Sequence, residues 1–240
     1  MDRIITLLAS LIAIIFVFSP HEFAHAYVAY KNGDPTAAIR GRKTLNPLKH
    51  IDPTGLVLCA LVGFGWARPV PIDPYNFRNY KVGLFTTAIA GVVVNYIIAF
   101  FGYLIFVLFV RFLFPLMIGS TILAYLADFL STTLYLIFAY SLYSVVFNLL
   151  PLFPLDGFRV VEAFTRQINP VRRFLRNYGQ AILIILLVES FICGILIDYV
   201  TDPNVVRIVG YLNILGHVGW FARNIIGFPI TKAWGWILSV

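Results

Sequence analysis

The chain has 240 residues, of which 60% are hydrophobic and only 12% charged, and its formal net charge is +7. A soluble domain carries about twice that charged fraction, so the composition excludes an ordinary water-soluble globular protein. Residues 82–110 and 129–155 contain no Asp, Glu, Lys or Arg, and a membrane-crossing helix needs about 20 such residues. The fold class expected is therefore an all-α polytopic membrane protein in a lipid bilayer. The basic residues lie between apolar runs, a pattern of membrane topology and not of phosphate binding, so no nucleic-acid partner is expected. Two cysteines far apart in sequence, Cys59 and Cys193, suggest neither a disulfide framework nor a cysteine metal site.

In chain order, the opening "MDRIITLLASLIAIIFVFSP" lacks a small-residue cleavage site and reads as a retained first helix over residues 4–30. Pro20 should kink that helix. A polar loop over 31–53 leads to "TGLVLCALVGFGWA", residues 54–67, which is uncharged but too short to span. It reads as a re-entrant segment or β-hairpin near the active site. Further spans are expected at 82–110, 129–150 and 179–198, with 112–128 as a linker or shallow helix. That makes at least four spans. The chain divides into a core at 1–200 and a membrane-associated or transmembrane tail at 201–240. Of the 18 Lys and Arg, most fall in 31–81 and 159–176. Those segments share one face if 54–67 re-enters, and that face is expected to be cytoplasmic.

The chemistry lies in "HEFAH", residues 21–25. On a helix His21 and His25 share one face and can bind one Zn²⁺, while Glu22 can take a proton from metal-activated water. A lone intramembrane histidine is more often a hydrogen-bonded packing residue. Here that bland reading must also explain Glu22 in apolar surroundings, where ionisable groups are expensive and usually functional. A catalytic zinc takes a third protein ligand and leaves a position open. Ten residues after His21, where soluble metzincins place a third histidine, stands Lys31. Asp34, His50, Asp52, Asp73 and Asp156 remain as candidates. Topology favours Asp156: Pro151, Pro154 and Gly157 break the third span while it is still apolar, and irregular backbone at membrane depth lines a cavity or is buried in protein. The first and third spans run in the same direction and deliver the histidines and Asp156 to similar depths.

"HEFAH", "AGVVVN" at 90–95 and "NLLPLFPLDG" at 148–157 together resemble the site-2 protease family of intramembrane zinc metalloproteases. "TLNPLKHIDPTG" and "FGWARPVPIDPYNFRN" are similar to its small prokaryotic branch, without a PDZ or nucleotide-sensing domain. The resemblance implies a multi-pass protein of a prokaryotic cell membrane, with its active site toward the cytoplasm, that cleaves transmembrane segments of other proteins. It also implies one zinc per chain held by His21, His25 and Asp156, with Glu22 as general base. Asn95 and Asn148 are expected to position substrate or steady an oxyanion, their alternative being interhelical hydrogen bonds. His50 is a possible support for the zinc site, and Glu189 reads as a helix-packing acid. The competing function is a zinc-binding transporter or scaffold that uses the same ligands without proteolysis.

Overall fold

The computed structural model describes residues 2–56 and 65–239. It is helical, with no strand among the described residues, and four of its helices are long and apolar enough to cross a membrane. The first, α1 (Asp2–Lys31), runs unbroken through Pro20. Its end is turned by Gly33, whose φ of 109° lies in the left-handed region that glycine tolerates best. After the short α2 (Thr36–Ile39), a polar stretch leads into the segment expected to re-enter. The body of that segment, residues 57–64, lies outside the described residues. Its two sides meet at an antiparallel bridge between Ile51 and Ala67, and the Arg68 N–H donates to the His50 carbonyl at 2.7 Å.

The second span is α3 (Tyr80–Leu108), begun by an Asn79 side chain that accepts from the Val82 N–H. It continues through a π-turn at Phe109–Leu113 into α4 (Phe114–Met117). The third span, α5 (Thr121–Asn148), begins eight residues before the expected 129. Residues 121–128 belong to it and not to a linker. After a proline-broken turn, α6 (Asp156–Phe164) leads to the fourth span, α7 (Pro170–Tyr199). This helix starts nine residues before the expected 179, because Asn169 caps it by accepting from the Arg172 N–H and Pro170 occupies its first position.

Helices α1, α3 and α5 form the central unit, and α6 lies on α3. The inner face of α1 is rich in small residues, with Ala9, Ala13, Ala24, Ala26 and Ala29 buried, and Ala88, Ala90 and Gly91 are buried on α3. Small side chains let backbones approach, which is how helices associate where lipid is as apolar as leucine. Hydrogen bonds between Tyr140 and Ser10 (3.1 Å) and between Asn95 and Ser144 (2.8 Å) tie α5 to its neighbours.

The tail holds α8 (Pro203–Leu212), α9 (Ile214–Phe221), a π-turn and α10 (Phe228–Gly235). The axis bends by 76° at Asn213, so α8 and the helix after it are a broken span or a re-entrant loop. Ala222 and Ile230 of the tail are buried with Ala99, Phe138 and Leu142 of α3 and α5. The tail therefore completes the hydrophobic packing of the central unit.

Candidate metal centre

The spacing of His21 and His25 puts both imidazoles on one face of α1, with ring centroids 4.6 Å apart and planes nearly perpendicular. Their Nε2 atoms face each other at 3.0 Å. Asp156 Oδ2 lies 3.3 Å from the first and 3.0 Å from the second. All three residues are more than 90% buried. Zinc bonds of 2.0–2.1 Å in a tetrahedron separate ligand atoms by about 3.3 Å. Three potential ligand atoms converging at that spacing, on residues of the types zinc prefers, fit a zinc ion.

Two glycines make the convergence possible. A Cβ on Gly91 would stand 2.5 Å from His21 Cε1 and 2.6 Å from His25 Nε2, so α3 can back the imidazoles only where it has no side chain. A Cβ on Gly157 would overlap the carbonyls of Leu149 and Leu150. Glycine there lets α6 fold back tightly against the end of α5, and buried Phe158 anchors its first turn. Asp156 thus sits in the first turn of α6, where the exposed backbone N–H groups favour a carboxylate.

The supporting contacts are mostly backbone. His25 Nδ1 is 2.7 Å from the Thr87 carbonyl, which only accepts; in the neutral ring the proton is therefore on Nδ1 and Nε2 carries the lone pair. Glu22 is buried, and its Oε2 accepts from the Val70 N–H at 2.7 Å. The extended stretch around Val70 is held in turn by buried Arg42, whose Nη2 donates to the carbonyls of Arg68 (2.6 Å) and Pro69 (3.3 Å). Burial and the neighbouring Arg68 lower the Arg42 guanidinium from its usual value, and Glu22 partly offsets them.

The other candidates are engaged elsewhere. The Asp34 carboxylate accepts from the Asp73 N–H (2.8 Å), Asn76 Nδ2 (3.0 Å), the Thr36 N–H (3.0 Å) and the Thr36 hydroxyl. Burial alone would raise this acid, but those donors together hold it below the ordinary 3.8. Asp52 caps the Thr54 and Gly55 amides, and Asp73 caps that of Tyr75. His50 is buried with Nε2 donating to the Thr44 carbonyl at 2.7 Å, beside Phe18, Ser19 and Trp66, and is not one of the three converging residues. Asn95 is fully buried against His21 and Ser144. Asn148 turns back onto its own helix, its Nδ2 donating to the Ser144 carbonyl (3.1 Å) and Oγ (2.9 Å). Glu189 Oε1 accepts from Cys193 at 3.1 Å. Sequence reading missed the Thr87 carbonyl, which any residue type would provide, and the Val70 amide, which any but proline would. It also missed Ser144, whose place four residues before Asn148 was a usable signal.

No protein-family model and no solved structure matches the chain. A protein of Bacillus subtilis (strain 168) named "Putative zinc metalloprotease YwhC" is 44% identical over 151 residues, which is 63% of this chain and 66% of that protein. The matched region thus spans just under two thirds of the relative's length. The chain is a homologue of that protein, consistent with membership of a small site-2 protease-like family of zinc metalloproteases.

Proposed function

We propose that the chain is an intramembrane zinc endopeptidase that cuts transmembrane segments of other membrane proteins, with its site toward the cytoplasmic side. The observation that carries this reading is the convergence of His21 Nε2, His25 Nε2 and Asp156 Oδ2 directly beside Glu22 in sequence. These three side chains would hold the metal, and the relative's name points to zinc. Zinc bound there supplies Lewis acidity toward water and the scissile carbonyl. Glu22 accepts the proton of the attacking water and returns it to the leaving amine. The Val70 N–H holds one carboxylate oxygen and fixes its aim. Buried surroundings keep bulk water out, and a helical substrate must unwind locally to expose a carbonyl. The basic segments at 31–81 and 159–176 support the cytoplasmic orientation.

Purified protein in lipid vesicles, given a helical membrane peptide, should cleave it and lose that activity to a chelator. Glu22→Gln keeps the size of the side chain but cannot take a proton. It should retain one zinc per chain and lose at least about 100-fold in rate. Cleavage by Glu22→Gln at the wild-type rate would remove the base from this role. Zinc crossing the vesicle wall without any cleavage would favour a transporter.

A further inference from the structure

The carboxamide of Asn95 is fully buried, and only one of its two polar ends is engaged. The engaged end, recorded as Nδ2, lies 3.1 Å from His21 Nδ1 and 2.8 Å from Ser144 Oγ, while Oδ1 has no hydrogen-bond partner. Which atom occupies the engaged position decides the chemistry of His21. With nitrogen there, Asn95 donates to Nδ1, and the proton of neutral His21 must sit on Nε2. That proton then lies between His25 Nε2 and Asp156 Oδ2, the two atoms that face it. This arrangement satisfies a metal-free site, because a proton stands where a cation would.

A half-turn of the carboxamide exchanges oxygen and nitrogen without moving either position. Oxygen in the engaged position accepts from both His21 Nδ1–H and the Ser144 hydroxyl. Ser144 Oγ in turn accepts from Asn148 Nδ2 at 2.9 Å. Every link at the engaged end is then used in one direction, with Asn148 donating to Ser144, Ser144 to Asn95 and His21 to Asn95, and the amide nitrogen takes the position without a partner. The proton gained at Nδ1 is matched by the one lost at Nε2, so His21 stays neutral and presents a bare Nε2. His25 needs no such device, since its Nδ1 already faces a backbone carbonyl.

We propose that Asn95 is a positioning residue whose carboxamide, held by Ser144 and Asn148, selects the His21 tautomer that can bind metal. The inference rests on the metal reading of His21, His25 and Asp156, and it gives Asn95 and Asn148 a task away from the substrate.

Zinc affinity, measured in detergent by competition with a chromophoric chelator, tests it without any cleavage assay. Asn95→Leu keeps the bulk and removes the acceptor, and should weaken zinc by about 10–100-fold. Asn95→Asp can only accept, and should stay within a few-fold of wild type. Ser144→Ala should weaken zinc by a few-fold, while Ser144→Thr, which keeps the hydroxyl, should not. Wild-type affinity in Asn95→Leu overturns the proposal, as does an Asn95→Asp variant as weak as Asn95→Leu. If the buried carboxylate of Asn95→Asp prevents folding, the Ser144 pair decides, and equal affinity of Ser144→Ala and Ser144→Thr overturns it. Wild-type protein that binds no zinc at all is a different result, because it removes the metal reading itself.

Discussion

Helices α1 and α7 are both about 30 residues long and both cross the apolar layer, yet they are built on opposite terms. A third of the apolar window of α1 is buried in protein, against 11% of that of α7. The inner face of α1 is alanine, serine, valine, histidine and glutamate, and its neighbours present glycine, asparagine and serine. The exposed face of α7 is isoleucine, valine and phenylalanine, with Ile185 at 65% and Val188 at 51%. Where protein faces lipid, any large apolar side chain serves. Where helices must touch and hold ligands, small residues set the distance and polar ones find defined partners. Tolerance to substitution should differ accordingly.

The sharpest exception on α7 lies at its amino-terminal start, where Arg172 is buried and paired with Glu162, and also donates to the Thr165 carbonyl. Arg172→Ala leaves the Glu162 carboxylate only the more exposed Arg176, at 3.6 Å, and should cost about 3 kcal/mol of stability, read by unfolding in mixed micelles. A loss below about 1 kcal/mol would place this end of α7 with its lipid-facing remainder. Next in size is Gly91→Ala, whose methyl meets both imidazoles. It should cost about 1–3 kcal/mol as overpacking and lower zinc content along with it. The matched control is Gly194→Ala on α7, where a Cβ meets nothing within 4 Å. Stability there should hold or rise by up to about 1 kcal/mol, since alanine is the better helix former. Equal effects at the two glycines would erase the contrast between the helices. Ile185→Val should be neutral within about 0.5 kcal/mol.

The pH response should come from outside both helices. Asp34 ties the loop after α1 to Asp73 and Asn76, and its folded-state pKa lies below the ordinary 3.8. An acid shifted downward contributes its full stability above the unfolded value. That contribution disappears as pH falls through 3.8 and then through the lower folded value. Between about pH 7 and pH 3 the melting temperature of the wild type should therefore fall more steeply than that of Asp34→Asn. Parallel curves would show that this carboxylate does not hold the loop.

Much of this arrangement is legible in the chain. The four-residue spacing of the histidines fixes a shared helical face whatever surrounds it, and the proline-broken end of α5 singles out Asp156. Helix ends are misplaced where hydropathy stands in for them. Hydropathy marks the lipid boundary, whereas capping marks the helix, and Asn169 with Pro170 begins α7 nine residues before its expected start at 179. Along residues 121–128, Asp128 and the polar Thr121 mask a helix that simply extends past the uncharged stretch. The least legible features are the Val70 amide and the Thr87 carbonyl, because tertiary contact alone decides where a backbone group points. Gly91 announces a close approach, but not that its neighbours are imidazole rings.

The convergence of residues 21, 25 and 156 also bears on the chain as a polymer. A cation gripped there would act as a removable cross-link between the amino-terminal helix and the segment that follows α5, closing a long loop that contains α3 and α5. Closing a long loop removes more freedom from the unfolded chain than closing a short one, and metal clips of this kind gain accordingly. Stripping the metal would then do more than silence a site. It would free the turn at Leu149–Leu155 from its tether to α1, and a soluble protease added to the stripped protein should cut there first.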